Sequence, residues 1–135
     1  ILSLGSNMGD RAGYISKAYE KILQSKKNTF LASSKIMQTA PLIVEDQPEF
    51  LNSVLKIYTE FKELELLYFC QSIEAELGRI FRFDKGPREI DIDILDYEGI
   101  HLTTTELVLP HPAIWTRPFL QELLEEIGEW ERFQK

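Results

Sequence analysis

Two aspartates, Asp91 and Asp93, lie two positions apart in a short run that is otherwise apolar. Because residues i and i+2 of a β-strand point to the same side, both carboxylates face one side, and Ile90, Ile92 and Ile94 face the other. Two carboxylates this close repel each other, and a cation between their oxygens relieves the repulsion. Such hard oxygen ligands suit Mg²⁺, which takes the rest of its shell from water and phosphates. The pattern indicates a strand that packs on one face and binds metal on the other.

The segment before this strand is basic. It carries four cations opposed by one acid, namely Arg79, Arg82, Lys85 and Arg88 against Asp84. Cations that hold phosphate oxygens, next to carboxylates that bind metal, form the usual arrangement of a polyphosphate site. The aspartate pair alone is also compatible with the solvated face of an edge strand, and the basic segment with a loop that balances nearby acid. Together they favour phosphoryl transfer.

Apolar periodicity predicts the elements that must position these residues. The predicted strands cover residues 1–4, 29–38, 50–61 and 90–95, and the predicted helices run from the N-cap Asp10 to about residue 25 and from residue 62 to residue 77, before a Gly78 cap. Loops are expected over 39–49 and 79–88, a hairpin over 97–102, an irregular stretch over 107–117 and a last helix over 119–127. This order is that of a ferredoxin-like βαββαβ α+β sandwich with a mainly antiparallel sheet. Two helices would cover one face of the sheet and leave the other free for a site.

Length, composition and net charge indicate a single globular domain and argue against some kinds of partner. The chain has 135 residues, which suits a single domain, and its 44% of hydrophobic residues suffices for a core. The net charge of −7 argues against nucleic acid and membrane surfaces as partners. Cys70 is the only cysteine, so no internal disulfide is possible and we expect a cytoplasmic protein. The first residue lies in an apparent strand, and we expect both ends to be trimmed.

Several motifs occur together in one order. They are LGSN at 4–7, DQPEFLN at 46–52, ELGR at 76–79, GPREIDID at 86–93, LPHP at 109–112 and RPF at 117–119. As a set, spanning nearly the whole chain, they resemble the 6-hydroxymethyl-7,8-dihydropterin pyrophosphokinases of folate biosynthesis. The resemblance implies that ATP is a co-substrate, that two Mg²⁺ ions are bound, and that the β,γ-diphosphate moves to the pterin hydroxymethyl oxygen with release of AMP. It also allows that the chain is one module of a fusion with dihydropteroate synthase or dihydroneopterin aldolase.

The resemblance assigns roles to residues of this chain. Asp91 and Asp93 match the metal ligands. The residues expected to act in catalysis are Arg79, Arg82, Arg88 and Arg117. Those expected to contact ATP are Gln71, Glu74, Ile94, His111, Arg79 and Arg88. Those expected to contact the pterin are Gly5, Thr39, Ala40, Leu42, Phe50, Asn52 and Phe119. Asp93 is the expected general base.

Residue chemistry agrees with these roles but also allows plainer ones. Phe50 and Phe119 could stack on a flat pterin, and Asn52 could hydrogen-bond its edge. From the sequence alone, the two phenylalanines could equally be packed core residues and Asn52 a solvent-facing one. His111 could be an ordinary loop residue, and the face that carries Gln71 and Glu74 an ordinary solvated helix face.

Three departures from the family pattern stand out. Lys85 replaces a common aromatic residue, the segment 79–86 looks one residue shorter, which leaves the register of Arg82 open, and Ala40 replaces a common proline. Two other readings remain: a Mg²⁺-dependent nucleotidyltransferase on a similar scaffold, and a ferredoxin-like binding module without catalysis.

Overall fold

The computed structural model describes residues 1–40, 47–83 and 86–134. The strands are β1 (Leu2–Ser6), β2 (Asn28–Ser33), β3 (Met37–Thr39), β4 (Phe50–Thr59), β5 (Asp91–Ile94), β6 (Leu102–Thr103) and β7 (Val108–Leu109). The helices are α1 (Arg11–Gln24), α2 (Glu63–Glu76), α3 (Ala113–Thr116) and α4 (Pro118–Glu126), followed by a 3-10 turn (Glu131–Phe133). The main sheet has the order β2-β4-β1-β5, its neighbours are antiparallel, and β3 also pairs with β4. This arrangement confirms the predicted α+β ferredoxin-like sandwich.

Local signals mark the helix ends, and those at Asp10 and Gly78 are predicted from the sequence. The Asp10 side chain accepts a hydrogen bond from the Gly13 amide at 3.1 Å, which satisfies one of the free N–H groups at the start of α1. Gly78 has φ of +91°, a left-handed conformation that favours glycine, just after α2. Pro118 begins α4, where its missing N–H costs nothing.

The larger part of the core lies between the sheet and helices α1 and α2. The three isoleucines 90, 92 and 94 are buried there, as the alternation with aspartate predicts. They pack with Leu2 and Leu4 of β1 and with helix residues such as Ile22 and Ile73. Burying side chains of this size contributes about 1.5–3 kcal/mol each. This packing fixes which way β5 faces and therefore where its aspartates point.

The opposite sheet face is free only in part, so the prediction holds for the part that lines the cavity and is wrong for the rest. A second core buries Val54 and Leu95 under α3, α4 and the 3-10 turn, chiefly through Ile114, Leu124 and Phe133. The chain after β5 carries enough apolar residues to form a third layer over part of this face. Only the remaining part is available for a site.

The predicted strand over 29–38 is wrong as one element, since it divides into β2 and β3. At Ser34 the backbone N–H donates to the Val54 carbonyl at 3.0 Å, and the Val54 N–H donates to Ser34 Oγ at 2.9 Å. The register against β4 also shifts between Phe30 and Ala32. A serine hydroxyl that takes a backbone position in the ladder interrupts regular pairing.

The region after β5 differs from its prediction in two places. Glu98 and Gly99 form a turn with positive φ, but the paired strands are β6 and β7, further along the chain. Their hairpin is closed by Thr104, whose Oγ1 accepts a hydrogen bond from the Leu107 N–H at 2.9 Å. The stretch 107–117, expected to be irregular, contains β7 and α3. None of the helices in the described part of the chain is long and apolar enough to cross a membrane.

Candidate active site

Three adjacent strands form the floor of one cavity. β1 lies between β4 and β5, and the register places Gly5 between Asn52 and Asp91. An added Cβ on Gly5 would lie 2.8 Å from Asn52 Oδ1, so only glycine leaves room for that amide. The cavity above this floor has a volume of about 410 Å³, and residues of α3 and α4 form its opposite wall.

Asp91, at one end of the cavity, is held by two arginines. Arg79 Nη1 lies 3.0 Å from Asp91 Oδ1, and Arg88 Nη1 lies 3.4 Å from Asp91 Oδ2. Arg88 and Asp91 both line the cavity, whereas Arg79 reaches the carboxylate from beside it. The predicted basic segment and acidic strand therefore meet, as the sequence indicates.

Glu74 anchors Arg79 to the sheet. Its Oε2 accepts hydrogen bonds from Arg79 Nη1 at 2.7 Å and from the Ile92 amide at 2.7 Å. The side chain is buried, and this burial raises the pKa of Glu74 despite those two donors. A helix carboxylate thus ties α2 to β5 and aims an arginine at Asp91.

Asp93 shares the cavity face of β5 with Asp91 and forms no ion pair among the described residues. Burial, followed by the charge of Asp91 and a hydrogen bond to it, raises the pKa of Asp93 well above its usual range. The described residues bring together no group of three or more His, Cys, Asp or Glu side chains that could hold a metal. Two carboxylates without a full cage fit Mg²⁺, which commonly binds one or two carboxylates and takes its other ligands from phosphates and water.

The other end of the cavity is aromatic and amide-lined. Phe50 from β4 and Phe119 from α4 both line it, together with Asn52 and Thr39. Asn52 Nδ2 donates to Thr39 Oγ1 at 2.5 Å, which orients the amide toward the cavity beside Gly5. A flat heterocycle with donors and acceptors on its edge suits such a surface.

Arg117 adds a cation on the wall opposite the sheet. Its guanidinium lies 4.7 Å from the centre of the Phe119 ring. Burial, and then the charge of Arg88, lower the pKa of Arg117 below its usual value. Within the described residues Arg117 forms no ion pair, so two arginines converge on the cavity with a carboxylate partner only for Arg88. The lining thus balances two arginines with two aspartates, and the guanidinium of Arg117 remains able to pair with an anionic ligand.

The other predicted residues are placed differently. His111 lines the cavity, and its Nδ1 accepts a hydrogen bond from the Ala113 amide at 3.0 Å. Gln71 is exposed on α2, while the Ile94 side chain is buried in the core on the far side of the sheet. Ala40 is exposed and does not line the cavity. Leu42 and Lys85 lie outside the described residues.

Arg82 is turned toward Glu89. Its Nη2 lies 2.5 Å from Glu89 Oε2 and its Nη1 3.0 Å from Oε1, while the Ile80 amide donates to the same carboxylate at 3.2 Å. The hydrogen bonds from Arg82 lower the pKa of Glu89 to about 2. The guanidinium of Arg82 is therefore paired with an acid of the same connection between α2 and β5.

Sequence reasoning missed several residues of this region. Ser3 lines the cavity because it precedes Gly5 by two positions on β1, a relation that alternation could have shown. Leu95 follows Asp93 by two positions in the predicted strand and could have been found in the same way, whereas the approach of Thr116 depends on how the last layer packs. Asn7, which lies within the LGSN motif, is fully buried and bonds to the backbone of Arg88. No local signal separates Thr116 and Asn7 from ordinary core or turn positions.

Comparison with known proteins agrees with this geometry. The family model for 7,8-dihydro-6-hydroxymethylpterin-pyrophosphokinase matches residues 1–129. A 2-amino-4-hydroxy-6-hydroxymethyldihydropteridine pyrophosphokinase of Porphyromonas gingivalis is 39% identical over 133 residues, covering 96% of this chain and 90% of that protein. The enzyme of the same name from Bacillus subtilis is 40% identical over 126 residues, covering 93% of this chain and 75% of its own length.

Other relatives are much longer. A folic acid synthesis protein of Pneumocystis carinii is 40% identical over 129 residues, which are 95% of this chain and only 17% of that protein. The chain likewise spans 19% of a folic acid synthesis protein of Dictyostelium discoideum. Because the family model matches nearly the whole chain and relatives of similar length are about 40% identical, the chain belongs to the 7,8-dihydro-6-hydroxymethylpterin-pyrophosphokinase family.

Proposed function

We propose that this chain transfers the β,γ-diphosphate of ATP to the hydroxymethyl oxygen of 6-hydroxymethyl-7,8-dihydropterin and releases AMP. The observation that carries the proposal is the division of one cavity into two ends. Asp91 and Asp93 of β5 would provide the end for metal and phosphate, Phe50 and Asn52 of β4 would provide the end for a flat heterocycle, and Arg88 lies near both Asp91 and the Phe50 ring. A transfer between ATP and a pterin needs both ends within one enclosure.

The pterin is proposed to bind at the aromatic end. Phe50 and Phe119 would contact its ring faces, and the Asn52 amide would bond to its edge. Gly5 leaves the floor open beside Asn52, and Thr39 holds the amide in place. The proposed pterin contacts at Ala40 and Leu42 rest on the family resemblance alone.

The phosphates are proposed to bind at the charged end. Asp91 and Asp93 would hold two Mg²⁺ ions, which when bound neutralise phosphate charge and polarise the attacking hydroxyl. Arg88 and Arg117, which line the cavity, would bind the transferring and leaving oxygens with His111 beside them, and Arg79 would join them from beside the cavity. Arg82 could join them only by leaving Glu89. The ATP contacts expected at Gln71, Glu74 and Ile94 rest on the family resemblance alone, because none of the three lines the cavity and the side chains of Glu74 and Ile94 are buried.

The chain's own residues would act mainly by position and charge. The floor of β1, β4 and β5 fixes the hydroxymethyl group relative to the phosphates, so that its oxygen attacks the β-phosphorus in line as AMP leaves. Arginine charge stabilises the oxygens on which negative charge builds up. Asp93 is the proposed acceptor for the hydroxyl proton, because Asp91, the other acid lining the cavity, is held by two arginines.

Product analysis tests this proposal. Incubating the chain with MgATP labelled on the γ-phosphate should give AMP and labelled pterin only when the hydroxymethyl pterin is present. Asp91→Ala/Asp93→Ala should lower the rate at least about a hundredfold, because the metal and phosphate end loses both carboxylates. Glu20→Ala/Glu76→Ala removes two exposed acids of α1 and α2 and serves as the matched control.

The other outcomes separate the remaining readings. Release of diphosphate with nucleotide attached to an acceptor would show a nucleotidyltransferase. ATP binding without AMP, by well-folded chain, would show a binding module. Because the chain spans about a fifth of some relatives, fusion with another folate enzyme such as dihydropteroate synthase or dihydroneopterin aldolase also remains a proposal.

A further inference from the structure

We infer that Asn7 is a positioning residue that joins the two ends of the cavity, and this inference rests on the proposed function. Asn7 follows β1, is fully buried and does not itself line the cavity. Its hydrogen bonds run to two separate segments. One segment carries Arg88, and the other, residues 47 and 48, leads directly into Phe50 at the start of β4.

We call the hydrogen bonds from Asn7 to each of these segments an arm. In the first arm, Asn7 bonds to both the N–H and the carbonyl of the Arg88 backbone. The Arg88 N–H donates to Asn7 Oδ1 at 2.8 Å, and the Asn7 N–H donates to the Arg88 carbonyl at 3.2 Å. These bonds fix the backbone of Arg88, whose guanidinium lies 3.4 Å from Asp91 Oδ2 and 5.0 Å from the centre of the Phe50 ring. This arm therefore positions an arginine of the cavity through its backbone and leaves the guanidinium free of contact with Asn7.

The second arm uses both amide hydrogens of Asn7. Nδ2 donates to Gln47 Oε1 at 2.8 Å and to the Pro48 carbonyl at 3.1 Å. Since Pro48 lies two residues before Phe50, this arm sets how the chain enters the aromatic end. Asparagine alone combines one acceptor and two donors at this length, because aspartate lacks the donors and glutamine is longer.

Two variants of Asn7 separate the arms. Asn7→Asp keeps the acceptor for the Arg88 amide and loses both donors, so we expect KM for the pterin to rise about tenfold with kcat changed less than threefold. Asn7→Ala loses every side-chain bond, so we expect kcat to fall about tenfold as well, since small displacements near reacting groups are costly. Gln47→Ala removes one acceptor of the second arm and should raise KM alone.

Asn28 provides the matched control. It is also a buried asparagine, and its Nδ2 donates to the Ile22 carbonyl at 2.9 Å, between α1 and β2 and away from the cavity. Asn28→Ala should lower the melting temperature and leave kcat and KM unchanged. If Asn7→Ala behaves in the same way, or if Asn7→Asp changes kcat and KM as Asn7→Ala does, Asn7 is an ordinary structural residue and the inference is overturned.

Hydrogen exchange gives a readout that needs no activity. The Arg88 amide should be protected in the wild type and in Asn7→Asp, and should exchange at least about tenfold faster in Asn7→Ala. Equal protection in all three proteins would overturn the inference even if the enzyme is active. Absence of pterin-dependent AMP from the wild type would instead refute the proposed function, and the exchange data would still decide whether Asn7 holds Arg88. Should Asn7→Ala fail to fold, Asn7→Asp and Gln47→Ala still test the second arm.

Discussion

At the scale of single residues, Gly5 has an unusual position because two functional side chains flank it across the sheet. Asn52 lies on one side and Asp91 on the other, and the Asn52 amide occupies the space where a side chain at residue 5 would begin. The glycine is needed here for close approach, since its φ is not in the left-handed region. Because Gly5 has no side chain, the space between Asn52 and Asp91 stays open.

We therefore expect Gly5→Ala to displace Asn52 and break its bond to Thr39. KM for the pterin should rise about tenfold, and overpacking should lower the free energy of unfolding by about 1–3 kcal/mol. Urea unfolding and steady-state kinetics measure both effects. In an Asn52→Ala background, which removes the clash, adding Gly5→Ala should cost much less stability. Equal costs in the two backgrounds would mean that the alanine clashes elsewhere.

Arg117 is expected to separate activity from stability. Because burial and Arg88 disfavour its charge and no carboxylate of the described residues pairs with it, Arg117→Ala should leave the free energy of unfolding unchanged or slightly higher. Its loss should lower kcat/KM for MgATP at least about tenfold, as for other arginines that stabilise phosphate charge. Kinetics and urea unfolding on the same preparation measure the two quantities.

Arg132 is the matched control for this prediction. It bonds to Asp96, a carboxylate that is 2% exposed, at 2.6 Å. Arg132→Ala should cost at least about 1 kcal/mol of stability, because it leaves a buried charge without its partner, and should leave kcat/KM unchanged. A loss of stability in Arg117→Ala comparable to that in Arg132→Ala would show that Arg117 is structural.

At the scale of elements, an ion pair between Arg82 and Glu89 links the two ends of the connection from α2 to β5. Glu89 binds the Arg82 guanidinium through both oxygens and also accepts from the Ile80 amide. Residue 80 follows Arg79 and residue 89 follows Arg88, so this pair restrains the backbone next to both arginines that hold Asp91. Its effect on catalysis would come through those neighbours.

A charge exchange tests this role. Arg82→Glu and Glu89→Arg alone should each lower kcat about tenfold, by loosening the backbone beside Arg79 and Arg88. The double exchange should recover most of the loss if the pair acts by restraint, and none of it if Arg82 itself binds phosphate. The same exchange at Lys21 and Glu76, an exposed pair between α1 and α2 at 2.8 Å, should have little effect on kcat or stability.

The elements that the sequence predicts well are those whose signal is local. Alternation of isoleucine with Asp91 and Asp93 is enough to orient β5, and Asp10 and Gly78 mark helix ends by their own side-chain and backbone chemistry. The division between β2 and β3 escapes prediction because it depends on Ser34 bonding to Val54, twenty positions away. The pairing of Arg82 with Glu89 escapes for a related reason, since either charge could have met other partners.

At the scale of the whole molecule, the sheet separates two hydrophobic cores that position different parts of the site. The larger core under α1 and α2 holds β5 in register, and the smaller core under α3 and α4 brings Arg117, Phe119 and His111 over the sheet. The sequence shows that the last helix is amphipathic but not which face of the sheet it covers. That choice is made by tertiary packing, and it decides which part of the face stays open as a cavity.

Cys70 reports on the integrity of the larger core. It is fully buried in α2, and burial, with smaller effects from Glu74 and Asp93, raises the pKa of its thiol to about 12. Because the folded pKa exceeds the unfolded value near 9, this group's contribution to stability is complete below about pH 9 and is lost as the pH rises toward 12. The free energy of unfolding should fall by up to about 1.4 kcal/mol per pH unit in that range from this residue alone.

Urea unfolding of the wild type and of Cys70→Ala at pH 8, 9 and 10 measures this contribution. The stability advantage of the wild type over Cys70→Ala should shrink clearly from pH 9 to pH 10 and much less from pH 8 to pH 9, because only the wild type has a thiol that ionises on unfolding. At pH 8, a thiol reagent should modify Cys70 in step with unfolding by urea and hardly at all without it. Rapid modification of the folded protein, or a constant difference between the two proteins from pH 8 to 10, would mean that α2 opens locally and that the core over β5 is looser than its packing indicates.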